Sequence, residues 1–226
     1  MAPLILNIET ATTVCSVSIA KGNEIVALKE INNGFTHAEN LHIFIKEILA
    51  QHKLSVQQLN AIALSKGPGS YTGLRIGAST AKGLCYGLNI PLIAINTLKN
   101  MTSMAIQQTK DSSALYCPML DARRMEVYCA MYDGALNEHT LTEAKIVNED
   151  SVKDFNKEQV VYFFGEGMLK CRFLLEKNPR AQFIEEIYPS SQYMAGLAHE
   201  AYLHKQFEDI AYFEPFYLKE FYTNAG

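Results

Sequence analysis

The chain has 226 residues, of which 48% are hydrophobic, and this is enough for one large or two small domains with a real core. Its formal net charge of -4 at pH 7 argues against a protein that binds nucleic acid on its own, because neutralising phosphates requires a basic surface. The five cysteines form no CxxC pair and lie mostly in apolar runs, which predicts reduced core residues of a cytosolic protein. No apolar run has the length of a membrane span, and residues 1–3 lack the pattern of a signal peptide.

The first predicted elements are three strands in a meander, at residues 4–8, 14–20 and 25–28. The first strand ends at Glu9, and a turn rich in threonine follows it. This order resembles the first phosphate loop of the ATPase superfamily of actin, hexokinase and Hsp70 (ASKHA), in which an acidic residue and a Gly/Thr turn hold nucleotide phosphates. The turn in this chain lacks the glycine.

A helix is predicted to begin after Thr36, because Thr36 and Glu39 have the spacing of a capping box. Ile43 and Ala50 fall on the side of this helix opposite its apolar stripe, where an isolated exposed residue is the ordinary alternative to a partner contact. The stripe itself has the spacing of a single buried face and consists of Leu41, Phe44, Ile45, Ile48 and Leu49.

A glycine-rich run over residues 65–77 follows an apolar strand at residues 61–64 and leads into a pattern of helical period. Such a turn either holds an anion at the helix N-terminus or seats the helix closely on its neighbours. The Walker A pattern is absent, and Thr72 stands where the dinucleotide pattern requires its third glycine. The sequence therefore favours a tight turn into a closely packed helix.

The helix over residues 73–88 has two unlike faces. Small residues, among them Gly73, Gly77 and Ala81, share one side and would allow another backbone to approach. Two positive charges and a tyrosine on the opposite side contact either phosphate, an acidic partner or only solvent. The residues on this side are Arg75, Ala78, Ser79, Lys82 and Tyr86.

The polar segment 109–113 lacks periodicity and is the predicted boundary between domains 1–110 and 111–226. The second domain is predicted to open with a hairpin of strands 115–120 and 126–132. Asp121, Arg123 and Arg124 lie at its tip, where they form either an anion site or an ordinary charged turn. A strand at residues 160–164, a Gly-x-Gly turn and a helix follow, in the order of the second nucleotide loop of the ASKHA ATPases. A long helix from Ser190 or Ser191 to about Phe207 and an extended segment over residues 214–219 close the chain, and this segment is a candidate to pack back on the first domain.

No complete catalytic constellation is predicted. His199 and His204 lie five residues apart, whereas the zinc motif HExxH places its histidines four apart on one helix face. Ser70 has no evident histidine and acid beside it, and burial suppresses thiolate formation at the cysteines. We therefore expect no catalytic, cofactor-binding or metal-binding residues in this chain.

Six motifs occur in order along nearly the whole chain. They are residues 8–10 (Ile-Glu-Thr), 37–41 (His-Ala-Glu-Asn-Leu), the run 66–77, 81–84 (Ala-Lys-Gly-Leu), 121–124 with 126–128 (Asp-Ala-Arg-Arg and Glu-Val-Tyr) and 215–218 (Pro-Phe-Tyr-Leu). Together they resemble the bacterial TsaB (YeaZ) family. The departures from that family are Glu9 for the usual Asp, Ala11 for Ser, Tyr71 for Phe and Met125 for Gly, and the first two count against nucleotide binding by the first loop.

The resemblance implies a two-domain ASKHA fold, with a mixed sheet flanked by helices in each domain. It also implies a cytoplasmic, noncatalytic scaffold that pairs with TsaD, joins the ATPase TsaE and helps to modify the adenosine beside the anticodon of tRNAs that read codons beginning with A. The resemblance implies further that TsaC supplies the threonylcarbamoyl-adenylate, and we expect ATP and metal in the partner subunits and tRNA to be bound only through the complex.

In the family, the two helices of the N-terminal domain dock on TsaD, and we expect the same surface to form a homodimer when the chain is alone. Two rivals remain on the same fold, a metallopeptidase (glycopeptidase) and an independent small-molecule kinase. The predicted interface residues are Ile43, Ala50, Arg75, Ser79, Lys82 and Tyr86.

Overall fold

The computed structural model describes residues 2–34, 36–155 and 158–219, which divide into two compact units. The first unit contains residues 2–100 and 189–217, and the second contains residues 101–188 with 218 and 219. The described strands and helices, in chain order, are β1 (Leu4–Glu9), β2 (Val14–Lys21), β3 (Glu24–Asn32), α1 (His37–Gln51), β4 (Ala61–Gly67), α2 (Tyr71–Leu88), β5 (Leu92–Asn96), α3 (Thr97–Thr109), β6 (Leu115–Asp121), β7 (Glu126–Asp133), β8 (Glu138–Ile146), β9 (Val161–Phe164), α4 (Glu166–Leu175), β10 (Ala181–Ile184) and α5 (Ala195–Leu203).

The sheet of the first unit has the order β3-β2-β1-β4-β5. Strands β1, β2 and β3 form an antiparallel meander, whereas β4 pairs parallel to β1 and β5 pairs parallel to β4. Alternate residues of each strand face opposite sides of the sheet. Leu6, Ile8 and Ile62 pack with helices α1 and α2, while Ile5 and Ala63 pack with α5.

The sheet of the second unit has the order β10-β9-β6-β7-β8, which repeats the order of the first sheet. Again three antiparallel strands are followed by two parallel ones, β9 beside β6 and β10 beside β9. Helix α4 covers a core that includes Met119, Val127 and Phe163. The prediction of two mixed sheets flanked by helices is confirmed.

The structure differs from the sequence-based expectation at both ends of the second unit. The units divide after Asn100, inside α3, and not at the polar segment that follows this helix. Residues 189–217 return to the first unit, where Glu208 pairs with Leu92 and the Phe216 N–H donates to the Lys66 carbonyl over 2.6 Å. The boundary between the two units depends on which residues are in contact in space, and a change of composition along the sequence does not indicate those contacts.

Two local predictions were wrong, and two strands were not predicted. Helix α1 begins where expected, but the capping box is not formed, because the Thr36 hydroxyl bonds Asn33 Oδ1 and caps no helical N–H. The long helix predicted up to Phe207 is a 3₁₀ turn (Ser191–Met194) followed by the shorter α5. Strands β8 and β10 were not predicted, because β8 is mostly exposed and polar and β10 is only four residues long.

Among the described residues, no helix is long and apolar enough to cross a bilayer.

Candidate partner-docking surface

The acidic residue at the end of β1 is completely buried. Glu9 Oε1 accepts hydrogen bonds from the Ala11 N–H (2.7 Å) and the Ser65 hydroxyl (2.6 Å), and Oε2 accepts one from Asn100 Nδ2 (2.9 Å). Burial raises the pKa of the Glu9 carboxyl to about 7, although these hydrogen bonds act to lower it. The carboxyl therefore ties β1, β4 and α3 together inside the first unit.

Helix α2 packs directly on the turn after β1. A Cβ atom would lie 2.3 Å from the Ala11 oxygen if added to Gly69, and 2.1 Å from the Thr10 oxygen if added to Gly73. The Ser70 N–H donates to the Ala11 carbonyl over 2.6 Å, and the Ser70 hydroxyl caps α2 by accepting from the Gly73 N–H. These amide groups serve the packing of α2 against the turn, which confirms the prediction of a tight turn into a closely packed helix.

Helix α1 is anchored on the same turn. His37 is buried, and its Nε2 lies 2.7 Å from the Thr12 carbonyl oxygen. Burial lowers the pKa of His37, with the contact to Thr12 opposing the shift, so the ring remains neutral near pH 7. Residues 10–12 thus hold both helices in one fixed arrangement.

We call the outer faces of α1 and α2 the two-helix surface. Ala50, Arg75 and Ser79 are exposed, and Ile43 and Tyr86 expose 51% and 84% of their surface. A shallow groove of about 510 Å³ runs between the helices and includes Arg75 and Ser79. Its lining residues are Ala38, His42, Tyr71, Thr72, Arg75, Ile76, Ser79 and Thr80.

Arg75 is held in a defined position on this surface. Its Nη1 donates to the Tyr71 hydroxyl over 3.1 Å, and its guanidinium lies 5.3 Å from the centre of the Tyr71 ring. The Tyr71 ring in turn packs against Tyr217, with 4.8 Å between centroids. Tyr71 was not among the predicted interface residues, yet it lies one helical turn before Arg75, so the helical period could have identified it.

Two residues assigned to the outer face of α2 are covered, Ala78 almost fully and Lys82 in part. Ala78 is buried, with 5% of its surface exposed. Lys82 is only partly exposed, and its ammonium donates to the carbonyl oxygens of Ala211 (3.4 Å) and Phe213 (3.1 Å). Lys82 therefore anchors the C-terminal segment beside α2, a role that the helix pattern alone could not reveal.

His199 and the five cysteines were considered for catalysis, and the structure shows their contacts and burial. His199 Nδ1 lies 2.6 Å from Asn23 Oδ1, and all five cysteines are free and buried. Burial raises the pKa of the Cys15 thiol to about 11 and that of Cys85 to about 12. Within residues 2–34, 36–155 and 158–219, no group of three or more His, Cys, Asp or Glu side chains is placed to hold a metal ion. Fold and site together define a two-unit protein with two five-stranded mixed sheets of the same strand arrangement, a turn after β1 that is packed against a helix, and an exposed helix pair.

Comparison with known proteins agrees with this description. Residues 34–220 match the family model described as "TsaD: tRNA N6-adenosine threonylcarbamoyltransferase". The tRNA threonylcarbamoyladenosine biosynthesis protein TsaB of Haemophilus influenzae is 28% identical over 95% of this chain and 93% of its own. TsaB of Buchnera aphidicola subsp. Schizaphis graminum is 31% identical over 85% of this chain and 91% of its own. The solved structure of YeaZ from Pseudomonas aeruginosa superposes with a TM-score of 0.82 at 21% identity, over 96% of this chain and all of the other.

The chain therefore belongs to the family that this model describes and, within it, to the TsaB (YeaZ) family of tRNA threonylcarbamoyladenosine biosynthesis proteins.

Proposed function

We propose that this chain is a noncatalytic subunit of the cytoplasmic complex that transfers a threonylcarbamoyl group to the adenosine beside the anticodon of tRNAs that read codons beginning with A. In this proposal the chain binds the transferase TsaD through the two-helix surface, and TsaE joins the complex. ATP and metal are held by the partner subunits, and the chain forms a homodimer when alone. Membership in the TsaB family supports the reaction, and the exposed helix pair supports the mode of action.

The proposal rests on one observation: helices α1 and α2 are held in place by the same turn, and their outer faces are only partly covered. The turn at residues 10–12 fixes α1 through His37 and α2 through its glycines. Ile43 is half-exposed on α1, and Arg75 is already ordered against Tyr71 on α2. Binding therefore requires little further ordering of these side chains, and aromatic and arginine side chains are the ones that dominate interface energies.

Ile43→Asp combined with Arg75→Glu should weaken binding to TsaD at least tenfold, because a charge replaces an apolar contact and the sign of the ordered cation is reversed. Both positions are exposed, so the melting temperature of the lone chain should shift by no more than about 2 °C. Co-purification and titration with TsaD of the same organism measure the effect. Lys82 is left unchanged because it holds the C-terminal segment.

The matched control is Leu169→Asp with Arg180→Glu in the second unit, which makes the same two chemical changes at exposed positions. It should bind TsaD as the unaltered chain does. Equal loss in both variants, or no loss in the first, would place the interface elsewhere. Peptide cleavage by the purified chain together with stoichiometric zinc would favour the metallopeptidase alternative instead.

A further inference from the structure

The hairpin between β6 and β7 ends in two arginines with unusual backbone conformations. Arg123 has φ +70° and Arg124 has φ +49°, so both lie in the left-handed region. Residues with a side chain larger than that of asparagine are uncommon in this region, because their Cβ atom is disfavoured there, and glycine is the residue that adopts it freely. Such conformations persist only where the surroundings impose them, and they concentrate at functional sites.

The hairpin tip is held by hydrogen bonds that use its backbone. The Ala122 N–H donates to the Glu126 carbonyl (3.0 Å), and the Glu126 N–H donates to the Arg123 carbonyl (3.2 Å). The Arg123 N–H donates to Asp121 Oδ1 (2.7 Å), and the Lys219 ammonium donates to the Ala122 carbonyl (3.2 Å). The turn is therefore fixed without either guanidinium group.

Lysines already pair with the acidic groups next to the tip. Lys170 forms an ion pair with Asp121, and Lys219 forms one with Glu126. Burial opposes ionisation of Asp121, but the hydrogen bond from Lys170 and the charges of Lys170 and Arg123 hold the pKa of Asp121 below its usual value. Both arginines are exposed, and their guanidinium groups make no ion pair or hydrogen bond with the part of the chain that the structure describes. The tip thus presents two permanent positive charges on a rigid turn.

We propose that Arg123 and Arg124 bind the phosphodiester backbone of RNA, which in the complex proposed above is the tRNA substrate. A guanidinium matches phosphate with two parallel hydrogen bonds and stays charged at any physiological pH. The chain as a whole has a net charge of -4 and therefore does not attract RNA. Contact with RNA then requires a local group of positive charges, and the tip provides one. Arginines contribute most to protein interfaces when aromatic or large apolar groups pack around them. Here the exposed apolar neighbours are Met125 and Ile146, which lies across from Glu126, and neither is aromatic, so the two positive charges dominate the tip.

The test uses the complex of this chain with TsaD and TsaE and a transcript of a tRNA that reads a codon beginning with A. Arg123→Asn with Arg124→Gly removes both charges and places at the two positions residues that tolerate a positive φ. We expect tRNA binding about tenfold weaker near 0.1 M salt, with the slope of log K against log[salt] reduced by about 1.4 to 1.8. The melting temperature should be equal or higher, and co-purification with TsaD should be unchanged.

Lys153→Ala with Lys177→Ala is the matched control, because it removes two exposed positive charges from the same unit away from the tip. Its salt slope should equal that of the unaltered complex. An unchanged slope in the tip variant, or an equal change in the control, would overturn the RNA contact while leaving the proposed function intact. Loss of TsaD or TsaE from the tip variant would show instead that the arginines bind a protein. Failure of the unaltered chain to bind TsaD would refute the proposed function, and with it this inference.

Discussion

Gly73→Ala should destabilise the protein by about 3 kcal/mol or more. The added Cβ would lie 2.1 Å from the Thr10 carbonyl oxygen and 3.2 Å from the His37 ring. Neither neighbour can move easily, since one is backbone and the other is buried against the same turn. Helix α2 would have to shift away from residues 10–12. Urea unfolding at a fixed pH measures the change in the free energy of unfolding.

The same helix offers its own controls. Gly83 and Gly87 also lie in α2, but a Cβ atom at either position would have no neighbour within 4 Å. Alanine should therefore stabilise the protein there by about 0.5 to 1 kcal/mol, because it reduces the conformational freedom of the unfolded chain. If Gly73→Ala were as well tolerated as these two changes, the close approach of α2 to the turn after β1 would be refuted.

Glu9→Gln should remove a large part of the decline of stability with rising pH. The Glu9 pKa is raised in the folded protein, from 4.5 to about 7, so the folded state binds this proton more tightly than the unfolded state does. The penalty for burying the carboxylate is absent well below pH 4.5 and fully present above pH 7. As the pH rises from 5 to 8, the difference in free energy of unfolding between the variant and the unaltered protein should grow by about 2 to 3 kcal/mol in favour of the variant.

The hydrogen bonds around this position suit an amide. Its oxygen can accept from the Ala11 N–H and the Ser65 hydroxyl, and Asn100 can turn so that its Oδ1, which has no partner among the described residues, accepts from the new NH₂ group. Glu24→Gln, at an exposed position, is the control and should keep the unaltered dependence on pH. Parallel pH profiles of Glu9→Gln and the unaltered protein would contradict a buried carboxyl with a raised pKa.

Local patterns sufficed for the elements whose two sides face different surroundings. The apolar stripe of α1 is buried as predicted, and the small-residue face of α2 packs on the turn after β1. The pattern failed where burial is shallow or comes from one side only, as at the exposed edge strand β8. It also misplaced Ala78 and Lys82, because a position on a helix face does not specify which neighbour covers that face.

The sequence by itself determined the alternation of strands and helices, the tight turn before α2 and the family, because periodicity, glycine and short motifs are local properties of the chain. Only the tertiary structure decided that Glu9 meets Ser65 and Asn100, 56 and 91 residues further along, or that Lys82 meets Phe213, 131 residues away. These contacts depend on the strand order of the sheet and on the path by which the C-terminal segment returns to it. Each of them joins parts of the chain that no local pattern relates, so their chemistry became visible only when the fold brought them together.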